Sequence, residues 1–370
     1  MIKKFIPALG LVLSSALFAQ EAVPAQDSPA EAQPAATENA TDVLTLVGVG
    51  DIMMGVNYPN DSPILPPKDG AEIFADVKEI LRDANVTVGN LEGVLLNDGG
   101  TPKKCSNPKV CYVFRMPERY VEHLVDAGFD LMTIANNHSG DFGDAGRQSS
   151  QRVLKEAGIG YAGFEKTCES TVIEKDGVKY GFAGFSVNNG TLRVTDFKKA
   201  TEVISDLRTK SDIVIVAMHI GAEGKKFNHI TRETENFVGE NRGNPYKFAR
   251  VAIDAGADVV FGHGPHVARA MDLYKGKFIA YSLGNFATPT GVNVSGISGY
   301  APIVKITIDK KTGNFKEGKL FSAIQKGGDG ARRPYLDETG ACIKEIKSLT
   351  EKDIPETGIK IDLDGSITLK

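Results

Sequence analysis

Side chains that can bind metal ions follow five apolar runs in this sequence. They are Asp51, then Asn90 and Glu92, then Asn136, Asn137 and His138, then His219 and Glu223, and finally His263 and His266. Imidazole, carboxylate and amide groups without a thiolate suit Mn²⁺, Fe or Zn²⁺ in an open, catalytic arrangement better than a closed structural zinc site. A carboxylate such as that of Glu92 can bridge two ions, and two-metal centres commonly activate water for attack on phosphorus.

Each of these residues, taken alone, also has a purely structural explanation. Asp51 could cap the turn that follows its strand, and His219 could be a core histidine bonded to the backbone. His123 and His229 do not follow a predicted strand, so a structural role is favoured for both. The combination is more informative than any single residue, because several strand ends together predict one metal-binding pocket.

Short apolar runs alternate with helical patterns along most of the chain. The alternation begins with VLTLVGVGD, EIFADVKEILRDA and VTVGNLEG and continues as far as KFIAYSLGNF. This rhythm predicts an α/β fold with parallel strands, whose carboxyl ends are where open α/β sheets bind ligands. After Ala301, the segment PIVKITIDKKTGNFKEGKLFSAIQ predicts an antiparallel hairpin with Gly313 near its turn.

The two ends of the chain differ in pattern from its middle. The start, MIKKFIPALGLVLSSALFAQ, has two lysines before an apolar stretch of about 15 residues, so residues 1–19 are predicted to be a signal peptide. We therefore expect a periplasmic or extracellular protein of the cell envelope, and an uncleaved anchor is the less favoured alternative. Residues 20–41, rich in Ala, Pro, Glu and Gln, predict a disordered tether. Residues 42–326 are expected to form the main domain, with residues 327–370 as an extension packed on it.

Charge and cysteine content narrow the expected partners and compartment. The net charge of −4 becomes −6 if residues 1–19 are removed, and no basic patch appears, so no nucleic-acid partner is expected. Cys105 and Cys111 bracket the short segment CSNPKVC and are expected to be bridged in an exported protein. Cys168 and Cys342 could form a second bridge, a pairing that the sequence leaves open. No Gly-Lys-Ser/Thr follows a strand, which argues against a nucleotide-binding loop.

Five segments resemble one protein family, the bacterial capsule synthesis protein CapA family (PGA_cap) of poly-γ-glutamate capsule proteins. They are GDIMMG, VGNLEG, IANNHSGDFG, AMHIGAE and FGHGPHVARAMDLYKGKFIAYSLGNF, and the resemblance runs from about Leu44 to about Gln325. That family is similar to the calcineurin-like metallophosphoesterases. The resemblance implies a four-layer α/β/β/α sandwich of helices, two mixed sheets and helices, with the metals where the strand ends of both sheets meet.

The resemblance also implies a role for each polar residue. The metal ligands would be Asp51, Glu92, Asn137, His219, His263 and His266. His138 would protonate the leaving group or stabilise the transition state, and Asp141 would orient its ring. The ligands would be supported from outside by Asn90, Asn136, Glu223 and Asn285. Whether Asn90 or Glu92 reaches the metals is left open by the sequence.

Met53 stands where the metallophosphoesterases have a metal-binding histidine. A thioether sulfur binds hard or borderline divalent ions poorly, so the ion held by Asp51, His266 and the bridging acid is expected to be weak. The other ion keeps a full set of ligands, which would be Asn137, His219, His263 and the bridging acid. We therefore expect one tightly bound Mn, Fe or Zn ion and a second, weak one.

The function that the resemblance implies is metal-dependent hydrolysis of a phosphoester or a polymer in the cell envelope. The alternative is a non-catalytic protein that binds an anionic polymer as a partner in a capsule synthesis or export complex, and Met53 favours it. Both hypotheses predict an anionic small molecule or polymer as ligand, and membrane proteins of capsule synthesis or export as partners. Metal content measured together with hydrolysis separates them.

Overall fold

The computed structural model describes residues 42–105 and 111–370. The predicted signal peptide and tether, residues 1–19 and 20–41, lie outside the described residues. Residues 42–370 belong to one compact unit. In chain order, its α-helices are α1 (Lys78–Arg82), α2 (Val121–Ala127), α3 (Gly143–Glu156), α4 (Phe197–Lys210), α5 (Pro245–Asp254) and α6 (Ala341–Asp353).

The strands of the described residues are numbered in the same way. They are β1 (Val43–Ile52), β2 (Val86–Leu91), β3 (Val94–Leu95), β4 (Arg115–Met116), β5 (Leu131–Thr133), β6 (Gly160–Ala162), β7 (Ser170–Lys175), β8 (Val178–Ser186), β9 (Ile213–His219), β10 (Asn236–Phe237), β11 (Glu240–Asn241), β12 (Val259–His263), β13 (Met271–Tyr274), β14 (Lys277–Ala280), β15 (Asn285–Ala287), β16 (Ile303–Asp309), β17 (Phe315–Phe321), β18 (Ala323–Lys326), β19 (Arg333–Leu336), β20 (Ile359–Ile361) and β21 (Ser366–Leu369).

Two mixed sheets contain most of these strands. The larger has the order β20-β21-β17-β16-β1-β2-β5-β6, with β15 also paired to β1. The smaller has the order β13-β14-β12-β9-β8-β7. Neighbours among β1, β2, β5 and β6 are parallel, as are those among β8, β9, β12 and β14. The hairpin predicted after Ala301 is confirmed as the antiparallel pair β16 and β17 of the larger sheet.

Three apolar clusters hold the layers together. Leu46 and Phe261 belong to the cluster between the two sheets. Leu124 of α2 and Leu154 of α3 belong to a cluster on the outer face of the larger sheet, and Phe248 of α5 to one on the outer face of the smaller sheet. Sheets covered on both faces have strands that read as continuous apolar runs, which is why these strands were visible in the sequence. The four-layer α/β/β/α sandwich is thus confirmed.

The C-terminal residues 327–370 contribute β19, α6, β20 and β21. Strand β21 pairs with β17 and so extends the larger sheet, while α6 contacts both β13 and β20. Among the described residues, no helix has the length and apolar character that crossing a membrane would require.

The chain crosses from one sheet to the other between β14 and β15, beside the end of β1. The backbone N–H of Asp51 donates to the carbonyl of Gly284 at 2.8 Å. A Cβ at Gly50 would lie 2.0 Å from the same carbonyl oxygen, so only glycine fits there. This close approach brings the carboxyl end of β1 against the crossing segment, where the two sheets meet.

Candidate metal centre

Strand register places the predicted ligands side by side. In the larger sheet, Asp51 of β1 is the direct partner of both Asn90 in β2 and Asn285 in β15. In the smaller sheet, His219 and His263 are direct partners at the ends of β9 and β12. All five residues lie at strand ends and none is exposed, so the two sheets present polar groups to one shared buried space.

The most compact group in that space consists of Asp51, Glu92 and His266, whose ligand atoms lie within 4.8 Å of one another. His266 Nδ1 is 3.1 Å from Asp51 Oδ2, and His266 Nε2 is 3.6 Å from Glu92 Oε1. These are the residues assigned from the sequence to the weaker ion. Their closeness does not by itself reverse that assignment, which stays a prediction.

Three further predicted ligands adjoin this group. His263 Nδ1 is 3.4 Å from Asp51 Oδ1, and His219 Nε2 is 4.0 Å from Glu92 Oε1. The side-chain oxygen of Asn137 is buried close by, in the wall of the adjoining cavity. The structure therefore brings five of the six predicted metal ligands together and places the sixth, Asn137, in the wall of the cavity that His266 also lines.

Several buried atoms here have no hydrogen-bond partner among residues 42–105 and 111–370. They are both carboxylate oxygens of Glu92, Nε2 of His219, Nε2 of His263 and Oδ1 of Asn137. Each buried polar atom left unpaired costs about 1–3 kcal/mol, so such a cluster needs an explanation. Ligand atoms that share one ion at about 2.0–2.2 Å lie at most about 4.4 Å apart. The four distances given above, 3.1, 3.6, 3.4 and 4.0 Å, fall within that limit. The nitrogen and oxygen donors thus fit a divalent ion of the Mn, Fe or Zn type.

The ionisable groups of the compact set strongly affect one another. Burial raises the pKa of Asp51, but hydrogen bonds and charge from His263 and His266 outweigh burial and hold this pKa below its usual range. Burial, with the neighbouring Asp51 carboxylate, raises the pKa of Glu92 well above its usual value. Burial lowers the pKa of His266, yet the charges of Glu92 and Asp51 raise it to about 10. In the metal-free centre, protons therefore take the place of the positive charge that a metal would supply.

Three of the four predicted supporting residues contact the ligands or one another. Asn90 Nδ2 donates to Asp51 Oδ1 at 2.8 Å, and Asn136 Nδ2 donates to Asn90 Oδ1 at 3.0 Å. The side-chain oxygen of Asn285 lies 3.0 Å from His266 Nδ1. Because the Asn90 amide is already paired in this chain of bonds, Glu92 is the better placed of the two residues to bridge ions.

Glu223 is the exception among the supporting residues. Its carboxylate forms an ion pair with Arg242 at 2.7 Å. Both residues line a cavity next to the metal centre rather than contacting the ligands. Arg242 was not identified from the sequence, where a single arginine in a segment without periodicity carries no signal.

His138 is held by the carboxylate predicted to orient it. Its Nδ1 lies 2.7 Å from Asp141 Oδ2, which also accepts the backbone N–H of Phe114 at 2.7 Å. A carboxylate partner makes Nδ1 the donor, which leaves Nε2 of the neutral ring as the nitrogen with a free lone pair. Burial lowers the pKa of His138 more than Asp141 raises it.

Two residues beside His138 were missed in the sequence. Lys103 Nζ lies 2.6 Å from Asp141 Oδ1, and the ring of Phe114 stacks on that of His138 with centroids 4.1 Å apart. Both flank the segment CSNPKVC, which was considered only for its cysteines. Lys103 lies only two residues before the bridged Cys105, a closeness in sequence that could have drawn attention to it.

The cysteines pair in one case and not in the other. Cys105 and Cys111 form the predicted disulfide. Cys168 and Cys342 are both unpaired, so the second bridge considered from the sequence is absent. Cys342 belongs to the core between the sheets, whereas Cys168 packs on the cluster outside the larger sheet, so the two thiols lie on different faces of that sheet.

The remaining residues discussed from the sequence have structural surroundings. Met53 is completely buried in the apolar cluster outside the larger sheet. His123 bonds to the backbone carbonyl of Asp69 at 2.8 Å, and His229 Nδ1 lies 2.7 Å from Asp353. Neither histidine belongs to the metal centre, in agreement with the structural role favoured for both.

A cavity of about 630 Å³ opens beside the metal centre. Residues from the centre, among them Asn137, His138 and His266, line one part of it. The rest of its wall comes from loops, including Lys103 and Cys105 before the disulfide, Tyr112 after it, and the segment that contains β10 and β11. A ligand with an anionic group at the centre would therefore have room for further atoms.

Comparisons with known proteins identify two capsule-biosynthesis proteins similar to this chain. The chain is 28% identical over 297 residues to the capsule biosynthesis protein CapA of Bacillus anthracis, which covers 77% of this chain and 68% of that protein. It is 28% identical over 265 residues to the PGA biosynthesis protein CapA of Bacillus subtilis strain 168, which covers 68% of this chain and 64% of that protein.

Solved structures with a similar backbone fold include a phosphoesterase and a phosphatase. One is a calcineurin-like phosphoesterase, YfkN, from Bacillus subtilis, with a TM-score of 0.42, 11% identity and coverage of 85% of this chain and 98% of that one. Another is a phosphatase from Mycoplasma pneumoniae, with a TM-score of 0.48, 15% identity and coverage of 76% and 94%.

A family profile gives the assignment. The profile described as bacterial capsule synthesis protein PGA_cap matches residues 45–290, more than half of the chain. The matched range contains every residue of the metal centre described above. The chain therefore belongs to the bacterial capsule synthesis protein family PGA_cap.

Proposed function

We propose that this protein is a metal-dependent hydrolase of the cell envelope that acts on an anionic substrate, either a phosphoester or a polymer. The observation that carries the proposal is the set of unpartnered buried atoms on Glu92, His219, His263 and Asn137 around the compact group of Asp51, Glu92 and His266. Burying these unpaired polar atoms costs free energy unless a cation binds them. Donors of these types suit a catalytic metal ion.

The residues of the centre would have different roles according to their positions. Asp51, Glu92, His266, His219, His263 and Asn137 would hold the metal, which when bound supplies Lewis-acid polarisation and an acidified water. Asp141 keeps the His138 ring oriented and its Nδ1 occupied, so that Nε2 exchanges protons with a leaving group in the cavity. Lys103 balances the charge of Asp141 and forms part of the cavity wall.

Family membership supports the proposed location in the cell envelope. The names of the two CapA relatives refer to capsule or PGA biosynthesis, and the sequence starts with a signal-peptide pattern. We propose that the protein is exported and works beside membrane proteins of capsule synthesis or export. An anionic small molecule or polymer would be its ligand.

The test measures metal and turnover in one preparation. Purified protein would be stripped with a chelator, reloaded with Mn²⁺ or Zn²⁺, and assayed on bis(p-nitrophenyl) phosphate and on poly-γ-glutamate. We expect metal-dependent hydrolysis that His138→Gln abolishes while metal content is retained. Metal loading without turnover of either substrate would contradict a hydrolase.

That contradictory outcome would support the second function, a non-catalytic protein that binds anionic polymer in a capsule synthesis or export complex. The observation in its favour is Met53, which is buried among apolar residues where related enzymes place a histidine ligand. Binding of poly-γ-glutamate without cleavage, measured by calorimetry, would establish it.

A further inference from the structure

The hairpin of β10 and β11 gives the cavity an apolar edge. Phe237 and Val238 both line the cavity, and Val238 at the tip is 82% exposed. Val238 has a φ of 50°, a left-handed conformation that is rare for a β-branched residue. Strained, exposed apolar residues of this kind are concentrated at ligand-binding sites.

A second apolar edge comes from residues that follow Cys111 and from Val292. Tyr112 is 54% exposed and lines the same cavity, together with Phe114 and Val292. The cavity thus has a polar end at the metal centre and an aromatic and aliphatic outer part. A volume of about 630 Å³ lies within the range of about 300–1,000 Å³ of small-molecule sites and far exceeds the need of a lone phosphate.

The hairpin is held rigidly. The guanidinium of Arg242 lies 5.4 Å over the ring of Phe237 and forms ion pairs with Glu223 at 2.7 Å and Glu240 at 3.1 Å. The ring of Phe227 packs edge-on against that of Phe237 with centroids 5.8 Å apart. A pre-positioned aromatic side chain loses little conformational entropy on contact with a ligand.

Buried charges fix the base of the hairpin as well. Glu235 receives two bonds from Arg269, at 2.8 and 2.9 Å, and a third from the backbone N–H of Ala222 at 2.7 Å. Arg269 is completely buried. The segment that carries Phe237 is therefore tied to the strand ends that carry the metal ligands.

Charge around the outer cavity argues against a second anionic group there. Arg242 is neutralised by Glu223 and Glu240, and Lys103 by Asp141. Of the cations that line the cavity, Lys225 is left without a carboxylate partner among residues 42–105 and 111–370, and it is solvent-exposed. The walls therefore favour an uncharged group beyond the metal centre over the next unit of a polyanion.

We propose that the hairpin selects substrates by their organic part. Phe237 and Val238 contact an aromatic or branched apolar group that is attached to the anionic group at the metal centre. The substrate class is thus an aryl or branched-alkyl phosphoester. This inference rests on the proposed function, because it places the anionic group at the metal centre.

Two phosphonates that cannot be hydrolysed test this without requiring turnover. Methylphosphonate and phenylphosphonate share the anionic group and differ in the organic part, and calorimetry on Mn²⁺-loaded protein gives both dissociation constants. Burial of the ring should make phenylphosphonate bind about tenfold more tightly. Phe237→Ala and Val238→Ser should each reduce that ratio, the first to near one. Val172→Ser, on β7 and away from the cavity, is the control and should leave the ratio unchanged.

The outcomes separate the two proposals. Metal content and circular dichroism would show that each variant is folded, and Val238→Ser alters only an exposed tip. If the unmodified protein binds both phosphonates equally, or if both variants keep the full ratio, the hairpin does not select and the proposed function stands. If it binds neither phosphonate while fully metal-loaded, the hairpin proposal fails and so does the phosphoester form of the proposed function, which leaves only a polymer substrate. Displacement of phenylphosphonate by poly-γ-glutamate at lower concentration would also overturn the apolar substrate class.

Discussion

At the scale of single residues, the metal centre is a set of groups whose protonation depends on the ion. Without metal, the pKa of His266 is raised to about 10 and that of Glu92 lies well above its usual value. At neutral pH His266 therefore carries a proton that a metal must displace. Metal binding is then thermodynamically coupled to proton release.

This coupling sets the sign of the pH dependence. Because a proton leaves His266 when metal binds, metal affinity should rise with pH up to the pKa of about 10. The rise should be about tenfold per pH unit for each proton released. Calorimetry with Mn²⁺ between about pH 6 and pH 8, in buffers of different ionisation enthalpy, would count the protons. Affinity that does not change with pH would contradict the protonated, metal-free centre.

His138 and His219 should respond differently to the same substitution. His138→Ala removes a ring held by Asp141 and should abolish turnover with metal content unchanged. His219→Ala removes a buried nitrogen, Nε2, that has no hydrogen-bond partner in the described part of the chain, and it should lower metal content. Elemental analysis after dialysis measures both. Retained metal in His219→Ala together with lost metal in His138→Ala would reverse the two roles.

Met53 sets the expected strength of the second ion. We expect dialysed protein to keep one ion per chain, and Met53→His to tighten a second, because imidazole replaces a poorly binding thioether. Met54→His, at the next position and equally buried, is the matched control and should bring no gain. Two ions retained by the unmodified protein would show that another side chain already completes the second site.

At the scale of elements, helix α6 anchors the segment that walls the cavity. Asp353 accepts the backbone N–H of Ile230 at 2.9 Å and lies 2.7 Å from His229 Nδ1. Glu345 and Glu356 make further contacts with the same segment through Asn228 and Arg232. Residues after position 290, outside the range that the family profile matches, thus support residues inside that range.

Removing that anchor should loosen the cavity wall. Asp353→Ala leaves the Ile230 N–H without its charged partner and should lower the free energy of unfolding by about 1–3 kcal/mol. Hydrogen exchange in residues 221–243 should become faster than in the sheets. Glu351→Ala, at an exposed position of the same helix, should change neither quantity. Equal exchange in both variants would show that α6 does not hold the wall.

The elements show where sequence reasoning succeeded and where it could not. Buried strands read as continuous apolar runs, and parallel strands end at one edge, so the predicted ligands converge as expected. Phe237 and Val238 escaped notice because a two-residue strand has no periodicity. Their placement depends on the Glu235 and Arg269 pair, which joins residues far apart in sequence. The membership of β15 in the larger sheet, directly after β14 in the smaller one, had no sequence signal either.

At the scale of the whole molecule, export and the disulfide are linked predictions. Protein expressed with its own N-terminus should be recovered from the periplasm or medium with residues 1–19 removed and with Cys105 and Cys111 oxidised. Intact mass and peptide mapping without reductant measure both. Cys168 should alkylate in the same sample, as an internal control for a free, partly exposed thiol. Alkylatable Cys105 and Cys111 would contradict the oxidising compartment.

The predicted ligands of one ion come from two sheets, so the distance between the sheets would be part of the metal geometry. Near the centre that distance is small, since a Cβ on Gly48 of β1 would lie 2.5 Å from the ring of Phe261 on β12. Gly48 precedes Asp51 by three residues, and Phe261 precedes His263 by two. Substitutions at the interface between the two sheets are therefore expected to be limited by the distance that the metal ligands require as well as by the stability of the fold. A chain with an ordinary melting temperature and a slightly wider gap would fold and still be unable to retain its ion.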